Sequence, residues 1–192
     1  MLCREMGRQE LRQDLEESKK KLEDITGAPV WGFRAPGFSV DPDILHLVAE
    51  IGYAYDSSYN SFSLNKRYGR VEVNGNRYRG LACRISEQFY ELPISNLEVA
   101  GKAFPWGGGG YFRLIPPSVF QKGVQHILNQ KGAYLFYFHP WEIDPDQPRV
   151  NAASALNKFR QYINLGKAVD RLKNLFCTFS YCRFISCRQF LS

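Results

Sequence analysis

The stretch Tyr134-Leu135-Phe136-Tyr137-Phe138-His139-Pro140-Trp141-Glu142 decides the fold class of this chain. It begins with five apolar residues, a pattern typical of a strand that is covered on both faces. Pro140 has no amide hydrogen for a further ladder bond, so we expect the strand to stop at His139. In a parallel sheet or barrel, the residue that ends such a strand faces the ligand crevice. His139 is therefore a candidate active-site residue.

Two earlier segments follow the same design. The run from Val30 predicts a strand that ends on Arg34, and Pro36 stops it. A second short strand, Tyr53 to Tyr55, leads into Asp56. Polar side chains at several strand ends indicate an active-site mouth. Arg34 and Asp56 could instead have structural roles only, because Arg34 could form a salt bridge and Asp56 could cap a turn.

Length and composition point to a single α/β domain spanning residues 1–192. The chain has 192 residues, 44% of them hydrophobic and 15% aromatic, which excludes a disordered protein. It is short for a complete (β/α) barrel. No apolar run approaches the ~20 residues that span a bilayer, and the start of the sequence shows no signal peptide. We expect a cytoplasmic protein without a transmembrane segment.

The net charge of +6 is concentrated at the end of the chain. Residues 151–192 hold seven Lys or Arg against Asp170 alone. Such a basic segment could meet nucleic acid, anionic lipid or an acidic glycan, but a solvated helix face explains it as well. No nucleic-acid-binding signature accompanies it, so we expect no nucleic acid partner.

The five cysteines do not form a zinc-binding pattern. No C-x-x-C pair occurs, and three of the cysteines are spaced five apart in an aromatic stretch. Free thiols in a reducing compartment explain them better than a metal site.

The order of the predicted elements is strand, helix, strand, insertion, helix, strand, helix, which is typical of an α/β fold. The helices and the insertion have the following approximate bounds: a helix over 8–26, a helix that begins after Asp41 and closes at Gly52, a hairpin insertion over 64–94 with a turn at Asn74-Gly75, a helix from Pro117 to Gly132 and a basic C-terminal helix over 153–175.

A glycine-rich segment, Trp106 to Arg113, separates two aromatic clusters. It lacks the lysine and hydroxyl residue of a phosphate-binding loop. Gly109 and Gly110 would let the backbone approach a ligand, while Trp106 and Tyr111 offer flat apolar faces of the kind that sugar sites use. A mobile structural loop is an equally open interpretation.

Taken together, these segments resemble the polysaccharide deacetylases of the NodB-homology type, in the branch associated with bacterial exopolysaccharide loci. The resemblance covers nearly the whole chain and rests on five motifs: Gly32-Phe33-Arg34-Ala35-Pro36, Tyr55-Asp56-Ser57-Ser58, Glu91-Leu92-Pro93, Gly108 to Arg113, and Phe138-His139-Pro140-Trp141-Glu142. It implies the C-terminal portion of a distorted (β/α) barrel. It also implies metal-dependent hydrolysis of acetyl groups on an acetylated polysaccharide or oligosaccharide.

The resemblance also assigns roles to individual residues. His139 would be the general acid, Arg34 would hold the catalytic aspartate of the family, and Asp56 would orient His139 or contact the substrate. The expected glycan-binding residues are Trp106, Gly109, Gly110, Tyr111, Arg113 and Trp141. We expect Arg34, Asp56, His139 and the glycine segment to face one cleft.

The metal site of the family has no counterpart in this sequence. The family binds zinc or another divalent metal through an aspartate and an H-x-x-x-H pair, whereas His46 and His126 lie singly in predicted helices. We therefore expect no metal ligands in this chain and no catalysis by the chain alone. The sequence fits either an incomplete deacetylase domain or a non-catalytic glycan-binding or assembly remnant.

Overall fold

The computed structural model describes residues 1–62, 68–71, 77–150 and 152–192. Its helices are α1 Arg8–Thr26, α2 Pro42–Glu50, α3 Gly109–Leu114, α4 Pro117–Lys131, α5 Ala155–Tyr162, α6 Ala168–Thr178 and α7 Cys187–Leu191. Its strands are β1 Gly32–Phe33, β2 Tyr55–Asp56, β3 Arg77–Arg79, β4 Ala82–Arg84, β5 Tyr90–Glu91, β6 Asn96–Val99 and β7 Lys102–Pro105. The predicted mixed α/β class is confirmed.

The chain divides into two compact units. The first comprises Met1–Ile94 together with Ile185–Ser192, and the second comprises Ser95–Phe184. Among the described helices, none combines the length and the apolar composition needed to cross a membrane.

The first unit is built on a five-stranded sheet with the order β1-β2-β5-β4-β3. Strands β1, β2 and β5 are parallel, and β5, β4 and β3 are antiparallel. Across the described ranges this sheet is open, with β1 and β3 at its edges, and it does not close into a barrel.

Strand register brings the candidate site positions of this unit together. Phe33 pairs with Asp56, and Asp56 pairs with Glu91. Since neighbouring residues in register project to the same face of a sheet, the carboxyl groups of Asp56 and Glu91 lie side by side. Gly32 leaves the space that the ring of Tyr55 fills, because a Cβ there would lie 2.5 Å from the Tyr55 hydroxyl oxygen.

Helices α1 and α2 confirm the start and stop signals of the sequence. α1 has the predicted bounds and ends at Gly27, whose φ of 63° is left-handed. At the start of α2, Asp41 Oδ1 accepts a hydrogen bond from the Ile44 amide at 2.9 Å. The apolar stripe of α1 is buried only near its start, at Leu11 and Leu15.

The predicted insertion over 64–94 lies partly outside the described residues. Its described part contains β3, β4 and β5, which return the chain to the sheet through antiparallel pairing. The predicted turn at Asn74-Gly75 lies outside the described residues.

The second unit packs α4 and α6 around an aromatic core. Phe112, Phe120, Val124, Leu175 and Phe179 form its buried cluster. A β6–β7 hairpin lies against α4. The helix from Pro117 is confirmed and ends at Gly132, which is left-handed with a φ of 68°.

The prediction of a buried strand before His139 is wrong. Residues 134–138 are only half-buried or exposed, and within the described ranges the segment pairs through a single parallel bridge, Tyr137 to Gly108. The physical reason is that Tyr134 and Phe136 pack against the aromatic core instead of lying inside a sheet. His139 and Pro140 are exposed.

The prediction of one helix over 153–175 is also wrong, because the structure has two helices there, α5 and α6. Asn164 interrupts them with a φ of 55°, a conformation that asparagine tolerates better than most residues. Its side-chain amide donates to the Arg113 carbonyl at 2.8 Å. The break therefore depends on a contact with a residue far away in the sequence.

We expect Gly123→Ala to destabilise the second unit, although alanine is the better helix former. A Cβ at position 123 would lie 2.6 Å from Cζ2 of Trp106, whose ring stacks on Phe120 and donates to the Phe120 carbonyl. Overpacking of this kind costs about 1–3 kcal/mol. Gly166→Ala is the matched control, since nothing lies within 4 Å of its Cβ. Thermal unfolding in which both variants melt alike would contradict this prediction.

Candidate functional site

Arg34 is held at the end of β1 by the chain that follows β2. Its Nε donates to the Ser57 carbonyl and its Nη2 to the Ser57 hydroxyl, both at 2.7 Å. The same hydroxyl donates to the Leu92 carbonyl at 2.7 Å. Arg34 is thus tied through Ser57 to the ends of two neighbouring strands.

Asp56 is fully buried and both of its oxygens accept hydrogen bonds. The Ser58 hydroxyl donates to Oδ1 at 2.8 Å, and the Ser58 amide donates to Oδ2 at 2.7 Å. The Ser58 hydroxyl also accepts from the Ala35 amide at 2.7 Å. Asp56 therefore fixes the turn after β2 against the segment after β1.

Glu91 is equally buried and lies beside Asp56. Its Oε1 accepts from the Tyr59 amide at 2.9 Å. Burial, and then the negative charge of Asp56, raise the pKa of Glu91 well above its ordinary value. Burial also raises the pKa of Asp56, but the neighbouring Glu91, the hydrogen bonds from Ser58 and the charge of Arg34 oppose this shift.

The C-terminal helix α7 belongs to the same unit. The guanidinium of Arg188 lies over the ring of Trp31, 4.2 Å from its centroid. Burial raises the pKa of the Cys187 thiol, and the nearby Arg34 charge lowers it. Part of the basic C-terminal charge therefore serves packing within the unit.

In the second unit, His139 and Trp141 form an exposed aromatic pair. Their rings are stacked with centroids 4.2 Å apart and planes 5° apart. The His139 amide donates to Glu142 Oε2 at 2.9 Å, and the Glu142 amide donates to the His139 carbonyl at 2.9 Å. Trp141 is 47% exposed, so the pair offers a flat surface to solvent.

The glycine-rich segment contains the start of helix α3, so the interpretation of this segment as a mobile loop is wrong. Gly108 precedes α3, and the helix begins at Gly109. A Cβ at Gly109 would lie 2.8 Å from the carboxyl carbon of Glu142 and 2.9 Å from the Cβ of Phe138. Glycine is required here for packing inside the protein, whereas Gly110 is exposed.

Arg113 is 3% exposed and forms a buried ion pair with Glu142, with Nη2 to Oε1 at 3.2 Å. Its Nη1 donates to the Gln161 and Ile163 carbonyls at 2.9 Å each, which satisfies groups at the end of α5. Its own carbonyl accepts from Arg171 at 2.6 Å. The structure gives Arg113 a packing role, and its predicted contact with a glycan stays a prediction.

Trp106 has a packing role as well. It is half-buried, stacks on Phe120 at 5.6 Å and donates from Nε1 to the Phe120 carbonyl at 2.9 Å. Tyr111 is half-buried. Each unit thus holds its own part of the predicted residue set, and the predicted convergence of Arg34, Asp56 and His139 stays a prediction.

Sequence reasoning missed two buried glutamates, Glu91 and Glu142. Both stand in motifs that carry the deacetylase resemblance, but the resemblance gives neither of them a role. Glu91 ends β5, and its role depends on its register with Asp56, for which the sequence offers no local signal. Glu142 gave none, because its partner Arg113 is distant in the sequence.

A family model for a domain of unknown function, DUF3473, matches residues 57–191. This match covers more than half of the chain. The chain belongs to the DUF3473 family. Among the curated proteins and the solved structures, no match was found. The DUF3473 region contains Glu91, Arg113, His139 and Glu142, whereas Arg34 and Asp56 precede it.

The residues described for this DUF3473 protein do not fit the metal that the deacetylase resemblance implies. Within residues 1–62, 68–71, 77–150 and 152–192, no three His, Cys, Asp or Glu side chains converge as metal ligands. His46 lies on α2 and His126 on α4, and both are exposed. A zinc site requires at least three such ligands, so no chemical step of this chain is assigned to a metal.

We expect Glu142→Gln to destabilise the second unit by about 3–5 kcal/mol, because it leaves the Arg113 charge buried without its partner. The matched control is Glu98→Gln, which removes the partner of Lys131 from a pair in which Glu98 is 53% exposed. Exposed pairs contribute at most about 1 kcal/mol. Chemical denaturation measures both effects, and equal losses would contradict a structural role for the buried pair.

Proposed function

We propose that this chain is part of a hydrolase that removes acetyl groups from a polysaccharide, and that its fold is the C-terminal portion of a distorted (β/α) barrel. The observation that carries the proposal is the polar cluster at the carboxyl ends of β1, β2 and β5. In α/β proteins with parallel strands, ligands bind at that end of the sheet. The resemblance of the motifs to polysaccharide deacetylases supplies the reaction class.

The chemistry proposed for His139 is general acid catalysis. Cleavage of an acetyl amide needs a proton donor for the amine, which otherwise leaves poorly. The imidazole is exposed, so a substrate can reach it, and its backbone is clamped on both sides by Glu142. Stacking on Trp141 limits the orientation of the ring.

Arg34 and Asp56 are proposed to act as a fixed electrostatic pair. Arg34 would hold a carboxylate of the active site, and the buried Asp56 would hold the end of β2 in place. The bonds of Arg34 to Ser57 and of Asp56 to Ser58 support this, because charged groups held in place need little reorganisation during a reaction.

An acetylated glycan is the substrate class that suits the exposed aromatic pair. The apolar faces of sugar rings stack on flat aromatic side chains, and Trp141 presents such a face next to His139. Trp141 is thus the glycan-binding candidate that the geometry supports best.

A second candidate is a non-catalytic glycan-binding or assembly protein. The absence of a metal-ligand group among the described residues favours it. In that function the His139 and Trp141 surface would bind the glycan without chemistry.

One experiment separates the two candidates. In cells that carry this gene, we expect His139→Ala to reduce deacetylation by about 100-fold or more, because general acids contribute about 10²–10⁴-fold to a rate. The acetyl content of the extracellular polysaccharide, measured by proton NMR, should therefore rise. His126→Ala is the matched control, since His126 is also exposed but lies on α4.

Unchanged acetyl content in the His139→Ala strain would contradict the hydrolase. If Trp141→Ala then weakens polysaccharide binding by the purified chain, the non-catalytic function takes its place.

A further inference from the structure

The two carboxyl groups in register on β2 and β5 pose a hydrogen-bonding problem. Asp56 and Glu91 are both 0% exposed. Three of their four oxygens accept hydrogen bonds from Ser58 and from the Tyr59 amide. Among the described residues, Oε2 of Glu91 has no donor. If both groups were ionised, an orphan acceptor and two like charges would be buried together.

We propose that Glu91 is a positioning residue that carries a proton on Oε2 and donates a hydrogen bond through it to Asp56. The pair then holds one proton and one negative charge. This arrangement converts the orphan acceptor into a donor. It also joins the two neighbouring carboxyl groups by a hydrogen bond between Asp56 and Glu91.

The surroundings assign the proton to Glu91 and the charge to Asp56. Asp56 accepts both a hydroxyl and an amide hydrogen from Ser58, which favours its ionised form. The Arg34 cation at the end of β1 favours it further. Glu91 accepts one amide hydrogen and faces the negative Asp56, so the pKa of Glu91 rises the most.

Two thiols, Cys83 and Cys3, also interact with the pair. Cys83 on β4 pairs in register with Glu91, and its charge would raise the Glu91 pKa. Burial raises the pKa of Cys3, which faces Asp56, so this thiol stays neutral. The cluster of Asp56, Glu91 and Arg34 is then neutral overall. Loss of the proton would leave two negative charges against one positive charge.

The proton fixes the geometry of the strand ends. Glu91 holds the Tyr59 amide through one oxygen and Asp56 through the other. Between these anchors lie Ser57 and Ser58, which bind Arg34 and the Ala35 amide. A catalytic consequence of this positioning rests on the proposed function, whereas the shared proton itself does not.

The test is the pH dependence of stability in the first unit. The Leu92 amide donates to the Asp56 carbonyl at 2.8 Å, so its hydrogen-exchange protection reports on the joint of β2 and β5. A carboxyl whose pKa is raised on folding stabilises the protein fully below its unfolded pKa of about 4.3, and this stabilisation is lost as pH rises through the folded pKa. Between the unfolded and the folded pKa of Glu91, the equilibrium constant for folding should fall by up to about tenfold per pH unit, relative to a variant without the proton.

Glu91→Gln is that variant. The glutamine amide can donate to Asp56 and its oxygen can accept from Tyr59, but it cannot ionise. We expect Glu91→Gln to retain protection at high pH and to lose the fall seen in the wild type. Glu87→Gln, at an exposed position, is the matched control and should follow the wild type.

Wild type and Glu91→Gln with parallel pH profiles would overturn the proposal. If Glu91→Gln does not fold, Asp56→Asn makes the same test, because an asparagine can donate to an ionised Glu91 and leaves one negative charge without a shared proton. A parallel profile for Asp56→Asn would again overturn the proposal. The acetyl content of the polysaccharide in the His139→Ala strain tests the proposed hydrolase separately, so the two failures are distinguishable.

Discussion

The register between β2 and β5 is the constraint on which the first unit depends. It places two carboxyl groups side by side in a buried position, where both cannot be ionised at an acceptable cost. The proposed proton on Glu91 resolves this conflict, and the hydrogen bonds from Ser58 and the charge of Arg34 favour the charge on Asp56. Hydrogen bonds consequently tie the ends of these strands to one another, as a preorganised site requires.

The second unit also buries a carboxylate, that of Glu142, and pairs it with the guanidinium of Arg113. Arg113 and Glu142 are both buried, and each also binds backbone groups: Arg113 the end of α5, and Glu142 the His139 amide. The ion pair joins the break between α5 and α6 at Asn164 to the segment that carries His139. It therefore helps to hold the backbone that carries the exposed His139 and Trp141 rings. In both units a buried glutamate thus holds the backbone around a residue that the sequence marks as functional.

Local signals predicted the parts of this fold that depend on neighbours in the sequence. The bounds of α1 and the caps at Asp41 and Gly132 follow from adjacent residues. The misses have distant causes. The break at Asn164 depends on Arg113, and the helix start at Gly109 depends on its fit against Glu142. The role of Glu91 required the register of a parallel pair, which a single sequence does not reveal.

The protonation of Glu91 and Asp56 is measured most directly by carboxyl carbon NMR of this chain across neutral pH, with the signals of the two residues assigned by substitution. If Glu91 carries the proton, its side-chain carboxyl carbon keeps the chemical shift of a protonated acid at neutral pH, while that of Asp56 has the shift of a carboxylate. Carboxylate shifts for both residues at neutral pH would contradict the protonation of Glu91.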